Sequence, residues 1–430
     1  MAGLLWSLAL MAFVSLNPYF MWGYQKVYYA VASSLLVLSF MGCSRMLSPT
    51  RFQLALCAAF SLFLMYLSLL PKVEGAPTRW FFLIPYTVAL LALSRENLTK
   101  TFDNFYWIFA LSLIPGMLLW IWLVAGLPIE MNYLTLPPGA RRGTVHYFGL
   151  PGAIFISSNA VILPSGGVVF RLCGIYDEPG TVGTIAALCL AATRFRLREA
   201  RGAISLVAGI LSFSLAFAVL TTLGLLGMAI AGRRPKLAVA ALATILAGAV
   251  IVSGVTFERA PTTAPNLTIT VPSSDPARGE DVQTKSTPER FNLDYRSHLR
   301  SLRIFNSRIE PEMLELLDKY ASSSPRTILF GVASDASIVY GSESVVWYRI
   351  LTDHGLIGFI WLVLLYSLPV VFLWRAGRLD LSVVVFCTLY LMSFYQRPVI
   401  WLPAQVLIYF AGIYWAAASR PRGADALRSG

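Results

Sequence analysis

The sequence predicts an all-α, polytopic membrane protein with about 12 transmembrane helices and one large loop outside the membrane. The chain is 57% hydrophobic and only 13% charged, which lies outside the range of soluble globular domains. Apolar windows long enough for a membrane helix of roughly 20 residues recur along its whole length. These runs are continuous, without the alternation of a membrane β-strand, so they favour helices.

The predicted spans fall into two groups separated by a polar block. Residues 1–255 carry nine spans and an excursion near 128–179, residues 256–344 form the block, and residues 345–430 carry three spans and a tail. The twelve spans are predicted at 3–21, 27–43, 52–71, 79–94, 104–127, 180–193, 202–214, 216–232, 237–255, 355–374, 380–395 and 399–418. Aromatic residues mixed with Gly and Pro in the excursion indicate a segment lying at the membrane interface.

Lysine and arginine in the short loops predict the orientation. Sixteen of them fall on one side and seven on the other, and the positive-inside rule makes the richer side cytoplasmic. Both termini are therefore expected in the cytoplasm. The block and the excursion then lie on the opposite side, the periplasm if the membrane is a bacterial inner membrane.

The polar block holds 12 of the 22 acidic residues and 10 of the 34 basic residues, so it offers more than half of the carboxylates that chemistry could use. Arg296, Arg300 and Arg303 are spaced to share one face of a helix. Guanidinium groups bind phosphate through two hydrogen bonds, so this face is a candidate substrate site. A solvated face or a contact with lipid headgroups explains the same pattern, and the sequence leaves both interpretations open.

Carboxylates on the same side are candidates for acid–base chemistry. Asp335 and Glu343 lie near the end of the block, and Glu178 precedes Pro179 at the start of a span. A simple helix cap is the competing interpretation for Glu178. Asp353 and His354 stand at the start of another span, where a capping and anchoring role is the simpler explanation.

Several functions are not supported by the sequence. The three histidines are not at metal-ligand spacing, no nucleotide-binding glycine-rich loop is present, and no metal or other cofactor is predicted. The five cysteines are scattered, without a CxxC motif. The net charge of +12 is explained by the loops between spans, so nucleic acid is not an expected partner.

Three short motifs, together with the architecture, resemble the Wzy-type O-antigen polymerases, which are relatives of the O-antigen ligases. The motif Arg171-x-x-Gly174-x-x-x-Glu178-Pro179 is similar to the signature that precedes a central span of that family. Ser212-Phe-Ser214 is similar to its serine pair, and Gly355-Leu-Ile-Gly358 to the turn that opens the span after the long loop.

Two departures from the ligases favour a polymerase. Ligases place an arginine after the serine pair, where this chain has Leu215. They also place a catalytic histidine about eleven residues before the Gly-Leu-x-Gly turn, where this chain has Ser344 beside Glu343. The identity of the catalytic base is therefore open between Glu343 and Glu178.

The resemblance implies a metal-independent glycosyltransferase of the inner membrane that joins oligosaccharide repeat units carried on undecaprenyl diphosphate. Expected partners are this lipid-linked glycan, membrane lipids and a protein that regulates chain length. The implied catalytic residues are Glu343, Glu178 and Arg171, and the implied substrate-binding residues are Arg296, Arg300, Arg303, Asp335, Tyr176 and Arg397. Two alternatives remain: a ligase that transfers glycan to lipid A core or protein, and a polysaccharide flippase or exporter.

Overall fold

The computed structural model describes most of the apolar part of the chain. It covers residues 2–22, 24–42, 47, 49–70, 80–125, 127, 130–134, 147–156, 160–162, 168–232, 268–270, 311–333, 336, 348–377, 379–394 and 400–418. Over these residues the protein is mostly helical. The predicted ninth span, 237–255, lies outside the described residues.

The helices follow the predicted apolar segments closely. In the first half, α1 to α8 are Ala2–Val14, Gln25–Gly42, Arg51–Leu69, Ile84–Leu91, Arg95–Val124, Pro179–Ala192, Ala200–Leu211 and Leu215–Gly232. In the described part of the second half, α9 to α13 are Pro311–Ala321, Pro325–Phe330, Tyr348–Arg375, Leu381–Ser393 and Pro403–Ala418.

Three of these helices, α3, α5 and α11, are long and apolar enough to cross a membrane. Several shorter apolar helices accompany them, and together they indicate a protein embedded in a membrane. The helix α5 begins at Arg95, well before the predicted span at 104, because the side chain of Ser94 accepts a hydrogen bond from the backbone N–H of Asn97. Its polar first turns therefore extend the helix beyond the apolar run.

Helix α6 lies at the centre of the bundle. All 14 of its residues are buried, and most of them are Gly, Ala or Thr. Small side chains allow helix backbones to approach closely, which is how helices associate in a membrane. A Cβ on Gly183 would stand 2.4 Å from Cβ of Ser214, so α6 has no room for a larger residue where it meets the start of α8.

The excursion at 128–179 contains two small β-sheets, so the all-α prediction was too narrow there. Strands β1 to β6 are Glu130–Leu134, Tyr147–Leu150, Ala153–Ile156, Ala160–Ile162, Val168–Phe170 and Thr268–Thr270. One sheet has the order β3-β2-β1-β6, and β4 pairs with β5 in the other. The parallel pairing of β6 with β1 brings one short stretch of the polar block back onto the excursion.

Arginines gather at one end of the helical bundle. At one end, which we call the basic end, Arg95 donates to the carbonyl of Tyr414 and Arg196 lies over the ring of Trp415. Arg194 pairs with Asp380 at the same end, across the C-terminus of α6 and the N-terminus of α12. Described residues that the sequence assigns to the arginine-rich side therefore gather at one end of the structure.

Arg201 is the most enclosed charge at the basic end, with 6% of its surface exposed. Its guanidinium contacts Glu199 at 2.7 Å and Asp103 at 2.9 Å, and it lies over the ring of Tyr106. These contacts tie α7 to α5. The loss of Arg201 would remove the ion pair of Asp103 and would leave Glu199 only the longer contact of 3.4 Å with Arg196.

We expect Arg201→Ala to destabilise the protein by about 2 kcal/mol, since both carboxylates keep partial access to water and the penalty is lower than for a fully buried pair. Thermal unfolding of the detergent-solubilised protein measures this. The control is Arg198→Ala, an exposed arginine in the turn that precedes α7, for which we expect a change below about 0.5 kcal/mol. Equal effects of the two substitutions would show that the Arg201 network does not stabilise the bundle.

Candidate functional site

The segment 171–178 lies between β5 and α6 at the end of the bundle opposite the basic end. Gly174 has φ +61°, a conformation that favours glycine, and it packs against Gly116 of α5. Its carbonyl accepts a hydrogen bond of 2.7 Å from the backbone N–H of Ile154. The carbonyl of Ile175 accepts one of 2.9 Å from Tyr19. The first predicted motif is therefore held by α5, β3 and the turn after α1.

Tyr176 is fully buried in this segment. Its hydroxyl lies 3.0 Å from the hydroxyl of Ser112, and its ring packs against Phe13 and Phe109. Burial raises the pKa of the Tyr176 hydroxyl above its ordinary value, so the group stays neutral. These contacts give Tyr176 partners inside the protein, while its assignment to substrate binding stays a prediction.

Two acids stand at the start of α6. Pro179 is the first residue of the helix, as the sequence predicts, and Glu178 occupies the capping position in an extended conformation. The Glu178 side chain makes no capping hydrogen bond and is half-buried, so the simple cap does not account for it. Asp177 is 6% exposed, and its carboxylate accepts a hydrogen bond of 3.4 Å from Thr181. The positive end of the α6 dipole favours negative charge at both positions.

The second predicted motif touches the first. Nε of Arg171 donates to the carbonyl of Ser212 at 3.0 Å, and the backbone N–H of Leu172 donates to the carbonyl of Leu211 at 3.0 Å. Phe213 has φ +45° in the tight turn that joins α7 to α8. The arginine is thus held by backbone at the C-terminus of α7.

The third predicted motif contains a break in α11. Gly355 has φ +66° and ψ −177°, which interrupts the helix between His354 and Leu356. Gly331, which follows α10, has φ +87°, and a Cβ on either glycine would clash with the backbone around the other. The backbone N–H of Val332 donates to the carbonyl of Thr352 at 2.7 Å. We call the close approach of Gly331 and Gly355, together with this hydrogen bond, the glycine clasp. It fastens the end of the polar block to α11.

Charged residues just before the break are buried. Asp353 is 1% exposed and accepts a hydrogen bond of 3.2 Å from Nε of Arg349, four residues earlier. The ring of His354 packs against Trp401, and its carbonyl accepts a hydrogen bond of 2.7 Å from the hydroxyl of Tyr66. These contacts agree with an anchoring role for Asp353 and His354. Arg349 was missed, although the spacing of four from Asp353 on a helix is a known signal for an ion pair.

The three motifs lie at the same end of the bundle, which we call the motif end. The turn after α1 contacts the first motif through Tyr19. Ser15, which directly follows α1, accepts a hydrogen bond of 3.0 Å from the backbone N–H of Ala404 in α13. Trp401, three residues before Ala404, packs against His354 of the third motif. Contacts through the end of α1 and the start of α13 therefore connect the first motif with the third.

The remaining predicted site residues cannot be placed relative to these motifs. Six of them lie outside the described residues: Glu343, Arg296, Arg300, Arg303, Asp335 and Arg397. Within the described ranges, no three His, Cys, Asp or Glu side chains are grouped as in a metal site. Comparison with protein-family models, characterised proteins and solved structures finds no match to this chain.

We expect Gly183→Ala to destabilise the protein by about 1–3 kcal/mol, because its methyl group would force α6 away from Ser214. Thermal unfolding in detergent measures the loss. The matched control is Gly3→Ala in α1, where a Cβ meets nothing within 4 Å. There we expect unchanged or slightly higher stability, since alanine favours helix by about 1 kcal/mol over glycine. A neutral Gly183→Ala would contradict the close approach of α6 and α8.

Proposed function

We propose that this protein polymerises oligosaccharide repeat units carried on undecaprenyl diphosphate, at the periplasmic face of a bacterial inner membrane. The acceptor hydroxyl attacks the anomeric carbon of the donor sugar, and the bond from that carbon to the diphosphate breaks. A protein base takes the hydroxyl proton, and undecaprenyl diphosphate leaves. The reaction in this proposal needs no metal ion and no other cofactor.

The proposed topology has twelve spans, cytoplasmic termini and the polar block in the periplasm. Support comes from the basic end, because Arg95, Arg194 and Arg196 gather there as the positive-inside rule expects of a cytoplasmic face. The motif end then faces the periplasm. In the proposed topology the polar block lies on that same side of the membrane.

One observation carries the proposal: the hydrogen bond between Arg171 and the carbonyl of Ser212, 41 residues apart in the chain. The arginine–glycine–proline motif and the serine pair resemble two separate signatures of the polymerase family, and they meet in space. A chance resemblance of two short motifs gives no reason for such a contact. The Gly355 turn, the third resemblance, lies at the same end.

The chemistry of the proposed reaction suits the charges at this site. A departing diphosphate develops negative charge, and a guanidinium held by the backbone can stabilise it without reorganising. Nε of Arg171 is bound to Ser212, which fixes the direction of the guanidinium. Glu178, half-buried and seven residues after Arg171 in the sequence, is a carboxylate of the type that accepts a proton from a sugar hydroxyl.

We expect Arg171→Ala to lower the rate of polymer formation by a factor on the order of 10² to 10³, the usual cost of one lost electrostatic contact to a transition state. The assay incubates purified protein with lipid-linked repeat units and follows the ladder of products on a gel. Arg198→Ala, at the basic end, serves as the control and should keep the wild-type ladder. Absence of a ladder from the wild-type protein would refute the proposed function, and a normal ladder from Arg171→Ala would refute the role of this arginine.

Isosteric substitutions distinguish the two candidate bases. We expect Glu343→Gln to abolish the ladder, because it removes the negative charge and keeps the shape of the side chain, while His298→Ala and His354→Ala retain activity. If Glu178→Gln is inactive and Glu343→Gln is active, the base lies in the first motif. If both glutamine variants are active, catalysis depends on positioning and on the arginines.

A further inference from the structure

Helices α9 and α10 form a hairpin near the end of the polar block. The two helices expose side chains of different kinds. On α9, Leu316 and Tyr320 are buried, while Glu315, Asp318 and Lys319 are exposed. The hydroxyl of Tyr320 donates to the carbonyl of Ile328 at 2.7 Å and holds the two helices together. The outer face of α9 is therefore suited to water.

The outer face of α10 combines one cation with large apolar side chains. Arg326, Leu329 and Phe330 are exposed, and Leu329 and Phe330 each keep 42% of their surface accessible. Their spacing of three and four places them on one face of the helix. A cation one turn away from two large apolar side chains is the arrangement found where a helix meets a membrane surface. The long arginine side chain can then reach the phosphates while the apolar groups enter the acyl region.

The position of α10 along α11 agrees with this. The glycine clasp fixes the backbone of Leu329 and Gly331 against Gly355, immediately before Leu356. The 20 residues from Leu356 to Arg375 span about 30 Å of helix, which equals the thickness of the hydrocarbon core. The level of Leu356, and of α10 beside it, is therefore the boundary between hydrocarbon and headgroups.

The exposed face of α10 lies at the level where an apolar stripe of α11 begins. Leu356, Ile360, Val363 and Leu364 are each between 40% and 54% exposed and lie on one side of α11. In a span long and apolar enough to cross a membrane, such a stripe faces lipid. Because α10 packs on the start of α11, Leu329 and Phe330 expose further apolar side chains at the level of Leu356.

We infer that α10 is a membrane-surface anchor, whose Leu329 and Phe330 insert among the lipid acyl chains while Arg326 contacts phospholipid phosphates. The anchor holds the end of the polar block against the bilayer, beside the ion pair of the half-buried Arg349 with the buried Asp353. The partner is the phospholipid bilayer itself. The inference does not depend on the proposed glycosyl transfer.

Fluorescence quenching of the full-length protein in lipid nanodiscs tests the anchor. The nanodiscs contain phosphatidylcholine and phosphatidylglycerol, with or without lipids that carry a nitroxide near the acyl carbonyl. Cys57, Cys173, Cys189 and Cys387 are buried, so the parent protein needs only Cys43→Ala, and its labelling gives the background. Single cysteines are introduced as Phe330→Cys and Leu329→Cys, with Ser322→Cys in the exposed α9–α10 turn as the control, and each is labelled with bimane.

We expect the labels at 329 and 330 to lose most of their fluorescence to the nitroxide lipids and little to aqueous iodide. The label at 322 should show the opposite response. Quenching of 329 and 330 by iodide would place the face in water and overturn the inference. Protection from both quenchers would show that protein, a second copy or another chain, covers the face, and would overturn it equally. Because the two labelled positions share one face of α10, agreement between them excludes a local effect of either substitution.

Discussion

The structure depends on the close approach of α6 to the hairpin formed by α7 and α8. Gly183 leaves no space for a side chain beside Ser214, and Gly209 packs in the same way against the ring of Phe217. In a membrane, water does not drive helices together, so close van der Waals contact between small residues must hold the bundle. The approach also brings the start of α6 to the end of α7, which is where Arg171 reaches the carbonyl of Ser212. Packing and the candidate site therefore depend on the same glycines.

This packing positions an arginine at each end of the bundle by different contacts. At the basic end, Arg201 is enclosed by the carboxylates of Asp103 and Glu199, and these ion pairs join α5 to α7. At the motif end, Nε of Arg171 donates to the backbone carbonyl of Ser212, and this hydrogen bond fixes the direction of the guanidinium.

The sequence predicted helices better than it predicted what lies between them. Helix α6 was expected at 180–193 and spans Pro179–Ala192, because a long apolar run after Asp-Glu-Pro is a strong helix signal. The strands around Phe148 and Phe155 were missed, since runs of three to five apolar residues carry too little periodicity to distinguish a strand from an interfacial coil. The contact of Arg171 with Ser212 could not be predicted at all, because it requires knowing how α6 and α7 pack. Glu343 and the arginines at 296–303 lie outside the described residues, so their proximity to that contact stays a prediction.

The lengths of the helices indicate how the motif end is built. With 14 residues, α6 extends about 21 Å, less than the roughly 30 Å of the hydrocarbon core, whereas the 30 residues of α5 extend about 45 Å. The first motif contacts α5 at Gly116, and α5 continues for eight further residues, about 12 Å, past that point. Trp120 in this extension donates a hydrogen bond to the carbonyl of Phe170, so strand β5 of the excursion contacts this part of α5. The backbone of the first motif, which carries Arg171 and Glu178, is therefore supported by α5 and by strand β3 of the excursion. Irregular backbone beside a membrane span is tolerated where protein surrounds it in this way, because protein groups satisfy its hydrogen bonds.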